Sequence, residues 1–184
     1  MVSKRSMSPK YILMAGILVG IVYYMISFSD IGVAKLMEIT GGQNILDLEM
    51  GGYSVEKAYD VLEGLGEEGR AFNLKYIIPI DLLFPITYGL FYFVTLTWLA
   101  TGLFQRMKHP WLIGLIGWVA PVFDFFENWN IYRLLTHYPE RLERVAQMAD
   151  IWTRLKALSV GISTILVVVG VIVLMVKRFK LKQT

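Results

Sequence analysis

The chain has 184 residues, 55% of them hydrophobic, no cysteine, two histidines and a formal net charge of +3. Without cysteine there are no disulfides and no thiolate metal sites, and His109 and His137, both in loops or at helix ends, do not suffice for a catalytic triad or a His-rich metal centre. The apolar excess points to an integral membrane protein of one domain, 1–184, and the basic balance reflects segregation of charge across a membrane rather than nucleic-acid binding.

A helix crosses the hydrocarbon core with about 20 mostly apolar residues, and four stretches qualify. The first is 11–28. Its apolar run is too long for a cleavable leader, and Ser27-Phe28-Ser29 lacks the small-residue cleavage pattern. Gly16 and Gly20 form a small-xxx-small surface, with Tyr23, Tyr24 and Ser27 nearer the outer end. The segment 30–73 follows, with nine acids against Lys35, Lys57 and Arg70. It is expected to hold a surface helix from Val55 to Leu62 capped by Ser54, with turns at Gly41-Gly42 and Gly51-Gly52 and breaks at Gly64, Gly66 and Gly69. A lid over the bundle and a solvated stub fit this segment equally well.

The second span is 74–103, where Asp81, Pro85, Tyr88 and Tyr92 form a stripe. A short basic loop follows, with Arg106, Lys108 and His109. The third span, 111–135, sets Asp124, Glu127, Asn128 and Ile131 on one face, which Gly117 extends. After a mixed loop, 136–150, the fourth span is 151–176, with Lys156, Ser159 and Ser163 on one face.

The basic loop groups with Lys4, Arg5 and Lys10 at one terminus and Lys177, Arg178, Lys180 and Lys182 at the other. These lie on the cytoplasmic side by the positive-inside rule, so the expected architecture is an all-α, N-in/C-in four-helix bundle with a helical extracytoplasmic segment between its first two spans. Tyr11, Trp98, Trp111, Trp129 and Trp152 fall near span ends, where aromatic rings favour the interface. The membrane is the inner membrane in a prokaryote or the endoplasmic reticulum in a eukaryote.

Ionisable groups inside spans are costly and usually functional. Counting helical rise from the outer face puts Asp81 roughly 10 Å in, Asp124 and Glu127 roughly 12–16 Å and Lys156 roughly 8 Å. A shared polar pocket accounts for the common depth. In it, Asp81 and Glu127 handle protons, Asp124 and Lys156 are electrostatic partners, and Asn128 and Tyr88 orient a ligand, with Tyr92, Tyr24 and Ser159 as further lining. A carboxylic acid beside a carboxylate is a general acid/base pair, able to protonate and deprotonate a lipid double bond. The ligand is then a membrane lipid or other hydrophobic small molecule; no cofactor follows from the sequence. Asp81, Asp124, Glu127 and Asn128 are oxygen donors suited to Mg²⁺, Mn²⁺ or Ca²⁺, but they lie on two helices only, so no metal is assigned. Two other readings remain. Lys156 paired with Asp124 or Glu127 serves only to lock the bundle, or the protein is a small ion-coupled transporter, against which the scarcity of titratable groups in the inner half argues.

Three short motifs carry a family resemblance: Asp81-Leu82-Leu83-Phe84-Pro85-Ile86-Thr87-Tyr88, the acid of Ser27-Phe28-Ser29-Asp30, and Phe125-Phe126-Glu127-Asn128 continuing to Pro139-Glu140-Arg141-Leu142-Glu143-Arg144. Together they resemble the emopamil-binding-protein (EXPERA) superfamily of four-helix membrane proteins. The resemblance implies a lipid-accessible cavity for sterol-like or amine ligands, with isomerase activity in some members. The chain also resembles prokaryotic four-helix membrane proteins, for which no activity is implied.

Overall fold

The structure, a computed structural model, describes residues 8–181. The expected basic residues Lys4, Arg5 and Lys182 lie outside the described residues. Among the described residues every regular element is helical. In chain order these are α1 (Lys10–Phe28), α2 (Val33–Thr40), a 3-10 turn (Leu46–Leu48), α3 (Val55–Gly64), α4 (Gly66–Phe72), a π-helical turn (Asn73–Ile77), α5 (Ile78–Asp81), α6 (Phe84–Leu103), α7 (Trp111–Gly114), a 3-10 turn (Leu115–Trp118), α8 (Val119–His137) and α9 (Glu143–Leu181).

Three helical stretches are long and apolar enough to cross a membrane: Lys10–Thr40, Gly66–Leu103 and Glu143–Leu181. The expected third span does not join them. It is divided into α7, a 3-10 turn and α8, and α8 is too polar to qualify. The division has local causes. At Gly117 an added Cβ would stand 2.7 Å from Phe93 N, so the chain approaches α6 at backbone distance here. Pro121 then deprives the Gly117 carbonyl, four residues back, of its helical donor. α8 itself is inverted in polarity. Its buried positions include Asp124, Glu127, Asn128 and Asn130, while Val119, Val122, Phe126 and Trp129 are exposed.

The segment between α1 and α5 packs over one end of the bundle as a cap. Leu36 and Leu62 are fully buried there, and Ile45, Leu46, Tyr53 and Val61 pack with Ile131, Leu134 and Leu135 of α8 and Val145, Ala146 and Ala149 of α9. Each buried leucine contributes about 1.5–3 kcal/mol of transfer free energy, which a solvated connector would lack. α3 begins as expected, with the Ser54 hydroxyl accepting from Lys57 N at 3.1 Å. Gly66 interrupts the chain, but helix resumes there, eight residues before the expected start of the second span.

α9 also starts early, at Glu143 rather than 151, and replaces most of the expected loop 136–150. Its 39 residues extend about 58 Å, nearly twice the hydrocarbon core. The apolar stripe Val145, Ala146, Ala149 stabilises the extra turns by packing beneath the cap. At the far end Lys177 Nζ donates to Leu103 O at 3.0 Å, so a basic side chain meets the unpaired carbonyls that end α6.

Candidate functional site

Where the cap meets the bundle, side chains from four segments converge on Lys156. Pro85 has no N–H for the carbonyl of Asp81, and the helix breaks at Leu82–Leu83, which leaves Asp81 at the end of α5. On α8, Asp124, Glu127 and Asn128 share one inward face by their spacing. α9 supplies Thr153 and Lys156, one turn apart. The cap supplies Asp47 from its 3-10 turn.

Lys156 Nζ lies 3.0 Å from Asp47 Oδ1 and 3.5 Å from Asp124 Oδ1, and pairs with Glu127 Oε2. Glu127 is fully buried, and its other oxygen accepts from Thr153 Oγ1 at 2.6 Å. Asp124 accepts from the Tyr88 hydroxyl at 2.8 Å and from Asn128 Nδ2 at 3.2 Å. Asn128 Nδ2 also donates to Asp81 Oδ2 at 2.7 Å. The side chain of Asp47 is 11% exposed, the largest exposure among the four acids. The Phe84 ring packs edge-on against Tyr88, 5.3 Å between centroids.

Three carboxylates thus meet one ammonium, and a fourth, Asp81, joins them through Asn128. Fully ionised, the four would leave three negative charges without a counter-charge in a water-poor interior, a cost of several kcal/mol per ion. The surplus is met by protons or by a further cation. Above the chamber, Tyr53 N donates to Asp150 Oδ1 at 2.6 Å, and Arg154 Nε holds the same carboxylate at 3.0 Å. The Tyr53 hydroxyl is buried beside Thr153 without a hydrogen bond of its own, and burial pushes it well above the ordinary tyrosine range.

The structure brings together Asp81, Asp124, Glu127, Asn128, Lys156 and Tyr88 from the sequence reading. Tyr24 lies elsewhere: it is 62% exposed on α1, whose inward positions are Ala15 and Val22. Tyr92 is partly exposed and pairs its hydroxyl with Thr164 at 2.8 Å, and Ser159 is partly exposed while Ser163 is buried. Asp30 is exposed beyond the end of α1. Sequence reasoning missed Asp47, Tyr53 and Thr153. Thr153 was legible, since it continues the Lys156 stripe by one turn toward the N-terminus. Asp47 was one of nine acids in its segment, with no periodicity to single it out.

Comparison of the chain with protein-family models, with curated proteins and with solved structures returns no match.

Proposed function

We propose that this is a four-span membrane protein whose capped, polyacidic chamber binds a lipid-like molecule and moves protons on it. The observation that carries the reading is a buried network beneath a cap, in which three carboxylates pair with one lysine and a fourth joins through Asn128, in a molecule whose helix exteriors are apolar. The inverted polarity of α8 supports a fourth crossing: its 19 residues extend about 28 Å, close to a hydrocarbon core of about 30 Å, and its outward side chains suit lipid. The basic end, with Arg106, Lys108, Lys177 and Arg178, then faces the cytoplasm and the acidic cap the opposite side.

Within the chamber, Asp81 and Glu127 stand at opposite ends of the network, one bound through Asn128 and the other through Lys156 and Thr153. One in its acid form delivers a proton to an alkene carbon, and the other, as carboxylate, removes a proton from the adjacent allylic carbon. The double bond shifts, and the protein regains its proton count. Asp124 and Lys156 hold the field, and Tyr88 and Asn128 orient the ligand. An apolar groove of about 580 Å³ between α1 and α6, lined by Met14, Leu18, Leu90 and Val94, lies on the side of α6 turned away from Tyr88 and offers a surface for a hydrocarbon chain. The likeness of Asp81 through Tyr88 to the emopamil-binding-protein motif supports the same ligand class.

Protonation at carbon leaves a label that does not wash out. The protein in lipid nanodiscs, incubated in D₂O with a membrane lipid extract, is expected to place deuterium at carbon in one lipid class, read by mass spectrometry. Asp81→Asn and Glu127→Gln should each lower the labelling at least about a hundredfold. Unchanged labelling in both variants, or none with the wild type, would overturn the reading. One observation favours a second reading: Lys156 ties the cap to α8 through Asp47, Asp124 and Glu127, as a purely structural clasp would. In that case both variants lose thermal stability and the wild type labels nothing.

A further inference from the structure

The basic end of the molecule has no acid of its own. No Asp or Glu occurs in residues 8–29, 82–123 or 157–181, the stretches that run to it, while Lys10, Arg106, Lys108, Lys177, Arg178 and Lys180 all lie there. Lys177 is answered by the carbonyls that end α6. Two of the others stack on aromatic rings: Lys10 Nζ stands 5.2 Å from the centroid of the Tyr11 ring, and Arg178 Cζ stands 5.6 Å from that of Trp98. Stacking orients a cation but leaves its charge unneutralised.

Those two rings mark the mouth of the apolar groove between α1 and α6. Tyr11 lines the groove itself, with Met14, Ala15 and Leu18 on α1 and Leu90 and Val94 on α6. Leu90, Val94 and Trp98 recur every four residues, so Trp98 continues the α6 wall toward the basic end. From Tyr11 to Leu18 the groove follows α1 for about 10 Å, against about 15 Å for the hydrocarbon depth of one leaflet. An added Cβ at Gly16 would stand 3.6 Å from Phe91 Cε2, so the two helices are already in contact beside the groove, yet only Ala15 and Val22 of α1 are buried.

An occupant of this groove is apolar along its length and anionic at one end. We propose that the groove holds one acidic phospholipid of the leaflet at the basic end, with an acyl chain against Leu18, Leu90 and Val94 and its phosphate headgroup at Lys10 and Arg178. A second copy of the chain fits less well. Inserted in the same orientation, it would bring its own acid-free basic end alongside the first, and like charges would meet where the groove opens. A zwitterionic lipid would fill the groove but leave both cations uncompensated, whereas each cation near an anionic headgroup adds attraction. The lipid fills the gap that α1 leaves against α6 and so fastens α1, the helix that leads into the cap. The site is separate from the acidic chamber. It rests on the proposed topology only in taking its lipid from the cytoplasmic leaflet, and not on proton transfer.

The test adds phosphatidylglycerol or phosphatidylcholine to the full chain in detergent micelles and counts retained lipids by native mass spectrometry. One phosphatidylglycerol per monomer is expected, held at least about tenfold more strongly than phosphatidylcholine. Lys10→Gln combined with Arg178→Gln should remove that preference. Leu90→Trp, which fills the groove and alters no charge, should lower retention of phosphatidylglycerol at least about tenfold, while Lys35→Gln, on the cap, should change neither. Phosphatidylglycerol should also raise the melting temperature of the wild type more than phosphatidylcholine does, a reading that needs no variant. Equal retention of the two lipids by wild type, retention untouched by Leu90→Trp, or a dimer in place of the lipid overturns the site. Retained phosphatidylglycerol without deuterium labelling of any lipid removes the chamber's chemistry and leaves the groove; labelling with no retained phosphatidylglycerol removes the groove alone.

Discussion

Replacing Lys156 by methionine keeps most of the side-chain volume and deletes the one ammonium that pairs with Asp47, Asp124 and Glu127. Its side chain is 9% exposed, and Glu127, beside it, is fully buried, so water cannot take its place. Removing one partner of a buried pair while leaving the other charged costs about 3–5 kcal/mol. Against a total stability of about 5–15 kcal/mol, that is a large fraction. For a chain of this length, each kcal/mol moves the melting temperature by about 2–4 °C, so Lys156→Met should melt about 6–20 °C below wild type. Five tryptophans make intrinsic fluorescence in micelles a direct assay. The mechanism also fixes the direction of a rescue. Glu127→Gln in the Lys156→Met background removes the stranded charge and should recover about 1 kcal/mol or more. A Lys156→Met melt within about 3 °C of wild type, or a double variant less stable than Lys156→Met alone, would refute the idea that uncompensated charge governs this chamber.

Two further outcomes test how the cap is held. Gly52 has φ +86°, and an added Cβ would stand 2.4 Å from Asp150 Oδ1, so Gly52→Ala should cost about 1–3 kcal/mol and appear as faster proteolysis within 33–65. Tyr53→Phe deletes a buried hydroxyl that makes no hydrogen bond, so stability should stay within about 1 kcal/mol of wild type or rise. Because burial raises the Tyr53 value in the folded chain, the unfolded chain ionises first above about pH 10, and stability falls as pH rises through that range. Tyr53→Phe should flatten this alkaline limb, which denaturant titrations at pH 8 and pH 11 would show.

Hydropathy placed four spans, and three of them coincide with helices long and apolar enough to cross a membrane, because their outward residues are numerous and uniformly apolar. It misjudged the ends of α9. Its first turns are held by a protein core, in which Val145, Ala146 and Ala149 share one buried cluster with the cap, and such a stripe is too sparse to register in a window tuned to hydrocarbon. α8 was counted as a span, but Asp124, Glu127, Asn128 and Asn130 dilute its average, and only face-by-face counting separates them from its apolar outer stripe. The same periodicity made most of the chamber legible: Asp124, Glu127 and Asn128 recur at helical spacing, and similar depth on neighbouring helices brought Asp81 and Lys156 to them.

Asp47 escaped because nothing periodic places it. It sits in a single 3-10 turn whose position depends on how Leu46 and Tyr53 bury themselves against α8 and α9, a long-range consequence of cap packing. Yet Asp47 changes the chemistry most. Without it, Asp81, Asp124 and Glu127 share one lysine, with Asn128 bridging the two aspartates. The carboxylate delivered by the cap raises the surplus of negative charge from two to three and ties the cap to α9 through Lys156.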